Sequence, residues 1–177
     1  MKIGIDISQT AYPGTGVANY TRNLVTALLR VDKKNEYVLF FSSLRKKCPL
    51  AVGGLANVTL KTFKFPPALL DLLWNRWHLL PIEWLIGKVD VFVSSDWLQP
   101  PTLEAKKVTT IHDLIVYKHP EGLAAKIIAV QKRKLAWVKK EADVVICDSQ
   151  SAQKDVSEIL GISEKKLRVI YPGGVAR

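Results

Sequence analysis

Two short stretches carry residue types that can do chemistry. Pro13-Gly14-Thr15-Gly16-Val17 lies between an apolar run and a helical repeat. Glycines there let the backbone approach a ligand, while the unpaired N–H groups and positive dipole end of the helix favour an anion. Gly14, Thr15, Gly16 and Val17 are therefore candidate phosphate-binding residues, although the stretch also fits a plain tight turn. His112-Asp113 closes a second apolar run. An imidazole at a strand end can take part in proton movement, with Asp113 as a neighbour to orient it or assist. Asp96 ends a third run, Asn19 and Tyr20 occupy the first helical turn, where they can face a cleft or pack, and Ser149 and Ser151 stand where helix caps are common. Asn19, Tyr20, Asp96 and Ser149 complete the candidate cleft contacts. Asp6 lies mid-strand and reads as a buried structural carboxylate.

The elements that must position these residues follow from hydrophobic period. Short apolar runs predict strands over 2–8, 36–41, 58–63, 89–95, 107–111, 142–147 and 167–171. Val17, Tyr20, Leu24 and Leu28 share one face of the first helix. A helix from Ala68 places Leu70, Leu73, Trp74, Trp77 and Leu80 on one stripe with Asp71, Asn75 and His78 opposite; Pro81 then fits the first turn of a short helix ended by Gly87. The helix after His112 buries Ala124, Ile127, Ile128, Leu135 and Val138 and turns most of its basic residues elsewhere, and Ser151 can cap a last helix stopped by Gly161. Strands alternating with helices predict an α/β fold, a doubly wound, mostly parallel, Rossmann-like sheet with helices on both faces. Ligands bind such sheets at the C-terminal strand ends, where Asp96 and His112-Asp113 fall. The dinucleotide fingerprint is not met, because Asn19 stands at its third glycine and Phe40-Phe41-Ser42-Ser43 offers no acid for a ribose.

Composition narrows the classes further. The 177 residues, 48% hydrophobic, suffice for one sizeable core. No signal-peptide pattern opens the chain and no apolar run reaches the roughly 18 residues of a membrane span, so a cytosolic protein is expected. Cys48 and Cys147 form no paired-cysteine motif and read as reduced thiols. The net charge of +10 is spread over short basic groups, as on a solvated face, and no nucleic-acid-binding signature accompanies it. No nucleic-acid partner is expected.

Four stretches in register resemble the N-terminal domain of the retaining glycosyltransferases of the GT-B fold, the large family 4 group. They are Ile3-Gly4-Ile5-Asp6 with Gly14 to Tyr20, Val108-Thr109-Thr110-Ile111-His112-Asp113-Leu114, the run from Ala142 to Ser151, and Arg168-Val169-Ile170-Tyr171-Pro172-Gly173-Gly174. In the last of these the family more often has an Asn-Gly pair. The resemblance implies an acceptor-side domain over 1–172, the start of an interdomain linker over 173–177, and a C-terminal donor domain outside this sequence. It further implies a nucleotide-sugar donor, a saccharide or lipid-linked acceptor and no metal or other cofactor. In that setting Gly14 to Val17 would meet the donor phosphate, and His112 with Asp113 would serve the chemistry. A free-standing Rossmann-like binding or scaffold domain is the alternative.

The segment from Phe63 to Trp84 holds three of the five tryptophans. It reads either as a sheet-covering stripe or as an aromatic belt near the cleft mouth, with Trp74, Trp77 or Trp84 partly exposed. The second reading adds an anionic membrane surface as partner, with peripheral attachment to the inner face of the membrane.

Overall fold

The computed structural model describes residues 1–173. Continuous apolar runs become strands because both faces of the sheet are covered. The strands are β1 (Lys2–Asp6), β2 (Glu36–Ser42), β3 (Val58–Phe63), β4 (Val91–Ser94), β5 (Lys106–Ile111), β6 (Val144–Cys147) and β7 (Leu167–Val169). All pairings are parallel, in the order β3-β2-β1-β4-β5-β6-β7. The direction of winding reverses between β1 and β4, which is where doubly wound sheets open a crevice. Residues 174–177, the greater part of the expected linker, lie outside the described residues.

Side chains alternate across each strand, and the cores separate accordingly. Ile5, Tyr37, Leu39 and Phe41 meet Val25 and Leu29 of α1 (Gly16–Val31). On the other face Val38, Phe40 and Phe92 meet Leu70, Trp74, Ile82 and Ile86. These come from α2 (Pro67–Leu70), the π-helical turn Asp71–Arg76 that continues it, and α3 (Glu83–Ile86) with Ile82 just before it. A third core joins β5, β6 and β7 to α4 (Ile115–Lys118), α5 (Ala125–Glu141) and α6 (Gln150–Leu160).

Several elements differ from the sequence reading. β1 stops at Asp6 because its Oδ1 accepts the Ser8 amide at 2.9 Å and turns the chain into a 3-10 helix, Ser8–Ala11. The buried face of α1 is Ala18, Thr21, Val25 and Leu29, not Val17, Tyr20, Leu24 and Leu28, which are half-buried flanks. The small residues Ala18 and Thr21 let the helix approach the sheet. The π-helical turn adds a residue to the repeat, so Asn75 is buried while Trp77 is 58% exposed. His78 and Leu80 leave the helix with positive φ, 53° and 66°. In α5, Leu135 and Val138 are buried as expected, but Ile127 is exposed, as is Ala124 just before the helix. The last helix is capped by Ser149, whose hydroxyl accepts the Ala152 amide at 3.0 Å, and not by Ser151. Cys48 and Cys147 are both free thiols.

Candidate functional site

Two clusters share the C-terminal edge of the sheet, and the start of α1 borders both. At that start Gly14 has φ 91°, a conformation that favours glycine. The Thr15 hydroxyl donates to the Tyr12 carbonyl (3.1 Å) and accepts the Ala18 amide (3.2 Å). Thr15 thus shapes the helix start, and its hydroxyl is not left for a phosphate. The amides of Gly16 and Val17, first in the helix, have no intrahelical acceptor and sit at the positive end of the dipole.

The first cluster is built on His112, the residue after β5. Its Nδ1 lies 3.1 Å from Asp148 Oδ2, across the sheet at the end of β6. The Tyr20 ring stands edge-on to the imidazole at 4.7 Å between centroids, and the Tyr20 hydroxyl is 3.4 Å from Thr110 Oγ1. Tyr20 is four residues past Gly16, about one turn, so it sets the imidazole against the start of α1. A carboxylate only accepts, so Asp148 places the proton of neutral His112 on Nδ1 and leaves Nε2 as the acceptor. Asp113 does not orient this histidine. It is exposed, and its Oδ1 accepts the Ile115 amide at 2.9 Å, starting α4. Asp148 thus holds the place the sequence assigned to Asp113; it stands just after the run that ends at Cys147, but only the β5–β6 register brings it to His112.

The second cluster surrounds a cavity of about 540 Å³ between the Gly14 loop and the first half of α5. Thr15, Val17 and Asp96 line it, with Ser8, Gln9, Phe65, Leu70, Trp97, Leu98, Ile127 and Val130 among the others. Gly14, Gly16, Asn19, Tyr20, His112, Asp113 and Ser149 do not. Asn19 is exposed on the first turn of α1, and the Ser149 hydroxyl is engaged as a helix cap. Asp96 accepts from Gln131 Nε2 at 3.3 Å. Asp6 is buried as expected, and burial raises its pKa.

Sequence reasoning missed Lys134. It sits in a basic run of α5 with its side chain fully buried, and its Nζ donates to Thr109 Oγ1 at 3.1 Å. Burial pushes its pKa down to about 8, and the charge of Asp96 opposes that shift. Among the described residues no three His, Cys, Asp or Glu side chains converge as metal ligands would.

The family model for Glycosyltransferase Family 4 matches residues 14–173, a span that includes every element of both clusters after the 3-10 turn. The chain belongs to glycosyltransferase family 4. No curated protein matches it. Membership makes this a glycosyltransferase-type domain, whose family works on a sugar donor and an acceptor. The seven-stranded parallel sheet agrees with the Rossmann-like fold expected.

Of the tryptophan-rich segment, Trp74 is fully buried and donates to the Leu80 carbonyl at 2.9 Å. Trp77 and Trp84 are 58% and 68% exposed. Glu83, beside Trp84, accepts the Leu103, Glu104 and Ala105 amides just before β5, so Trp84 lies toward the N-terminal strand ends and not at the site edge. Among the described residues no helix is long and apolar enough to cross a membrane.

Proposed function

We propose that the chain is the acceptor-side half of a retaining GT-B glycosyltransferase, completing a nucleotide-sugar site with a C-terminal domain that holds most of the donor. The observation that carries this reading is the His112–Asp148 pair set beside the first turn of α1. Breaking a sugar–diphosphate bond builds negative charge on the leaving phosphate. The Gly16 and Val17 amides and the α1 dipole stabilise that charge without moving, and such stabilisation requires no metal ion. His112, with Nδ1 committed to Asp148, offers Nε2 to a hydroxyl of the acceptor or of the transferred sugar.

The acceptor, saccharide or lipid-linked, occupies the edge between His112 and the cavity. Peripheral attachment to an anionic membrane on the cytoplasmic side uses the exposed Trp77 and Trp84 on a chain of net charge +10. The test is sugar transfer by the full-length gene product. His112→Ala lowers turnover by about 100-fold or more with the melting temperature little changed; undiminished turnover overturns the reading.

A further inference from the structure

The cavity beside the Gly14 loop is not lined by His112, and its character is specific. At about 540 Å³ it is the size of a small-molecule site. Its walls are hydrocarbon and aromatic, from Phe65, Leu70, Trp97, Leu98, Ile127 and Val130. Ile127 and Trp97 are each 37% exposed. They stand at the cavity instead of in the core, which is why the first half of α5 departs from the predicted buried stripe.

The polar groups on the lining are largely spent within the chain. Ser42 Oγ both donates to the Phe65 carbonyl and accepts the Phe65 amide, at 3.1 and 3.2 Å. Ser8 Oγ accepts the Ser42 amide at 3.0 Å. Asp71 is held by Arg133 at 2.6 Å and by Asn75 at 3.0 Å. The Thr15 hydroxyl is committed on both sides. Tyr12 and Lys126 are exposed to solvent, whereas Gln9 is 8% exposed and its amide nitrogen has no partner. A buried amide is seldom left unpaired in a finished structure, and a ligand oxygen would satisfy it.

A saccharide enclosed here would turn most of its hydroxyls toward carbon. We infer that the cavity takes the apolar body of the acceptor, an alkyl or aryl group attached to the hydroxylated part, with Gln9 meeting one oxygen near the junction. This rests on the transferase reading and narrows its acceptor to a hydrocarbon-bodied glycoside or alcohol. The hydroxylated end then points along the sheet edge toward His112.

The test is a titration of this chain, with labelled Ile, Leu and Val methyl groups, against hexyl, phenyl and methyl β-D-glucoside. Hexyl or phenyl glucoside should shift the Ile127, Val130 and Leu98 methyl signals and bind at least about 10-fold more tightly than methyl glucoside, as burial of several added carbons requires. Ile127→Asp, at an exposed position, should keep the fold and lose that preference, and Gln9→Leu should weaken both arms several-fold. Equal affinity for the three glucosides, or shifts confined to other methyl groups, overturns the inference. The two readings fail separately. Transfer by the full-length protein without alkyl or aryl preference at these methyl groups leaves the transferase standing and removes the cavity assignment. Cavity binding by a full-length protein that transfers no sugar does the reverse.

Discussion

A lysine held without solvent is costly at neutral pH. Lys134 is ordinary in sequence, one cation among Lys132, Arg133 and Lys134, and nothing in its spacing singled it out. It is buried because α5 lies flat on β5 there, with Thr109 as hydrogen-bond partner. Below pH 8 folded and unfolded chains both hold the proton, and the cost of burying it is full. Between about 8 and the ordinary 10.5 the unfolded chain binds a proton that the folded chain has lost, so stability rises with pH. Above that range the cost is gone. The difference corresponds to roughly 3 kcal/mol. Lys134→Met should therefore stabilise the chain at pH 7 by about 1–3 kcal/mol. It should also remove the wild type's gain between pH 8 and 10, as read from thermal unfolding of the two proteins side by side. A variant less stable than wild type at pH 7 would show that the ammonium is a favourable part of the site. The His112–Asp148 contact teaches a related lesson. Both residues stand at predicted strand ends, but Asp113, nearer in sequence, was the visible neighbour, and only strand register brings Asp148 across.

Between β1 and the α2–α3 layer the chain has almost no clearance. A Cβ on Gly4 would come within 2.8 Å of Phe92 and 2.9 Å of Ile86, both buried. The glycine thus matters for close approach, and the motif Ile3-Gly4-Ile5-Asp6 acquires a packing reason. Gly4→Ala should destabilise by about 1–3 kcal/mol through overpacking, visible as a lower urea midpoint; an unchanged midpoint would mean that the layer yields freely. Strands were legible because buried parallel strands are continuous apolar runs, as in Tyr37 to Phe41. The α2 segment was not, because a π-helical turn breaks the 3.6-residue period on which the stripe was drawn. Asn75 and His78, placed outside by that period, turn inward. Asn75 donates to the Trp97 carbonyl, and His78 pairs with Glu141 at 2.9 Å while stacking on Trp137.

Taken whole, the molecule carries its candidate chemistry on one edge and its most exposed tryptophan near the other. Alternation of strands and helices alone determines neither arrangement; the order of the strands does, by setting the winding reversal between β1 and β4. If Trp77 and Trp84 meet lipid, the chain sediments with anionic vesicles at low salt, and the Trp77→Ser, Trp84→Ser double variant stays in the supernatant with its fold intact. Wild-type protein remaining in the supernatant removes the membrane from the account. On the proposed reading the first turn of α1 receives the diphosphate of a sugar donor, and His112 faces a hydroxyl beside it. An amide-resolved NMR titration of the chain with inorganic pyrophosphate, the group common to such donors, measures this. On that reading saturable shifts should be largest at Gly16 and Val17 and persist in His112→Ala. Shifts spread evenly over the lysine-rich surfaces, or largest around Lys33 and Lys34 at the opposite edge, would contradict it.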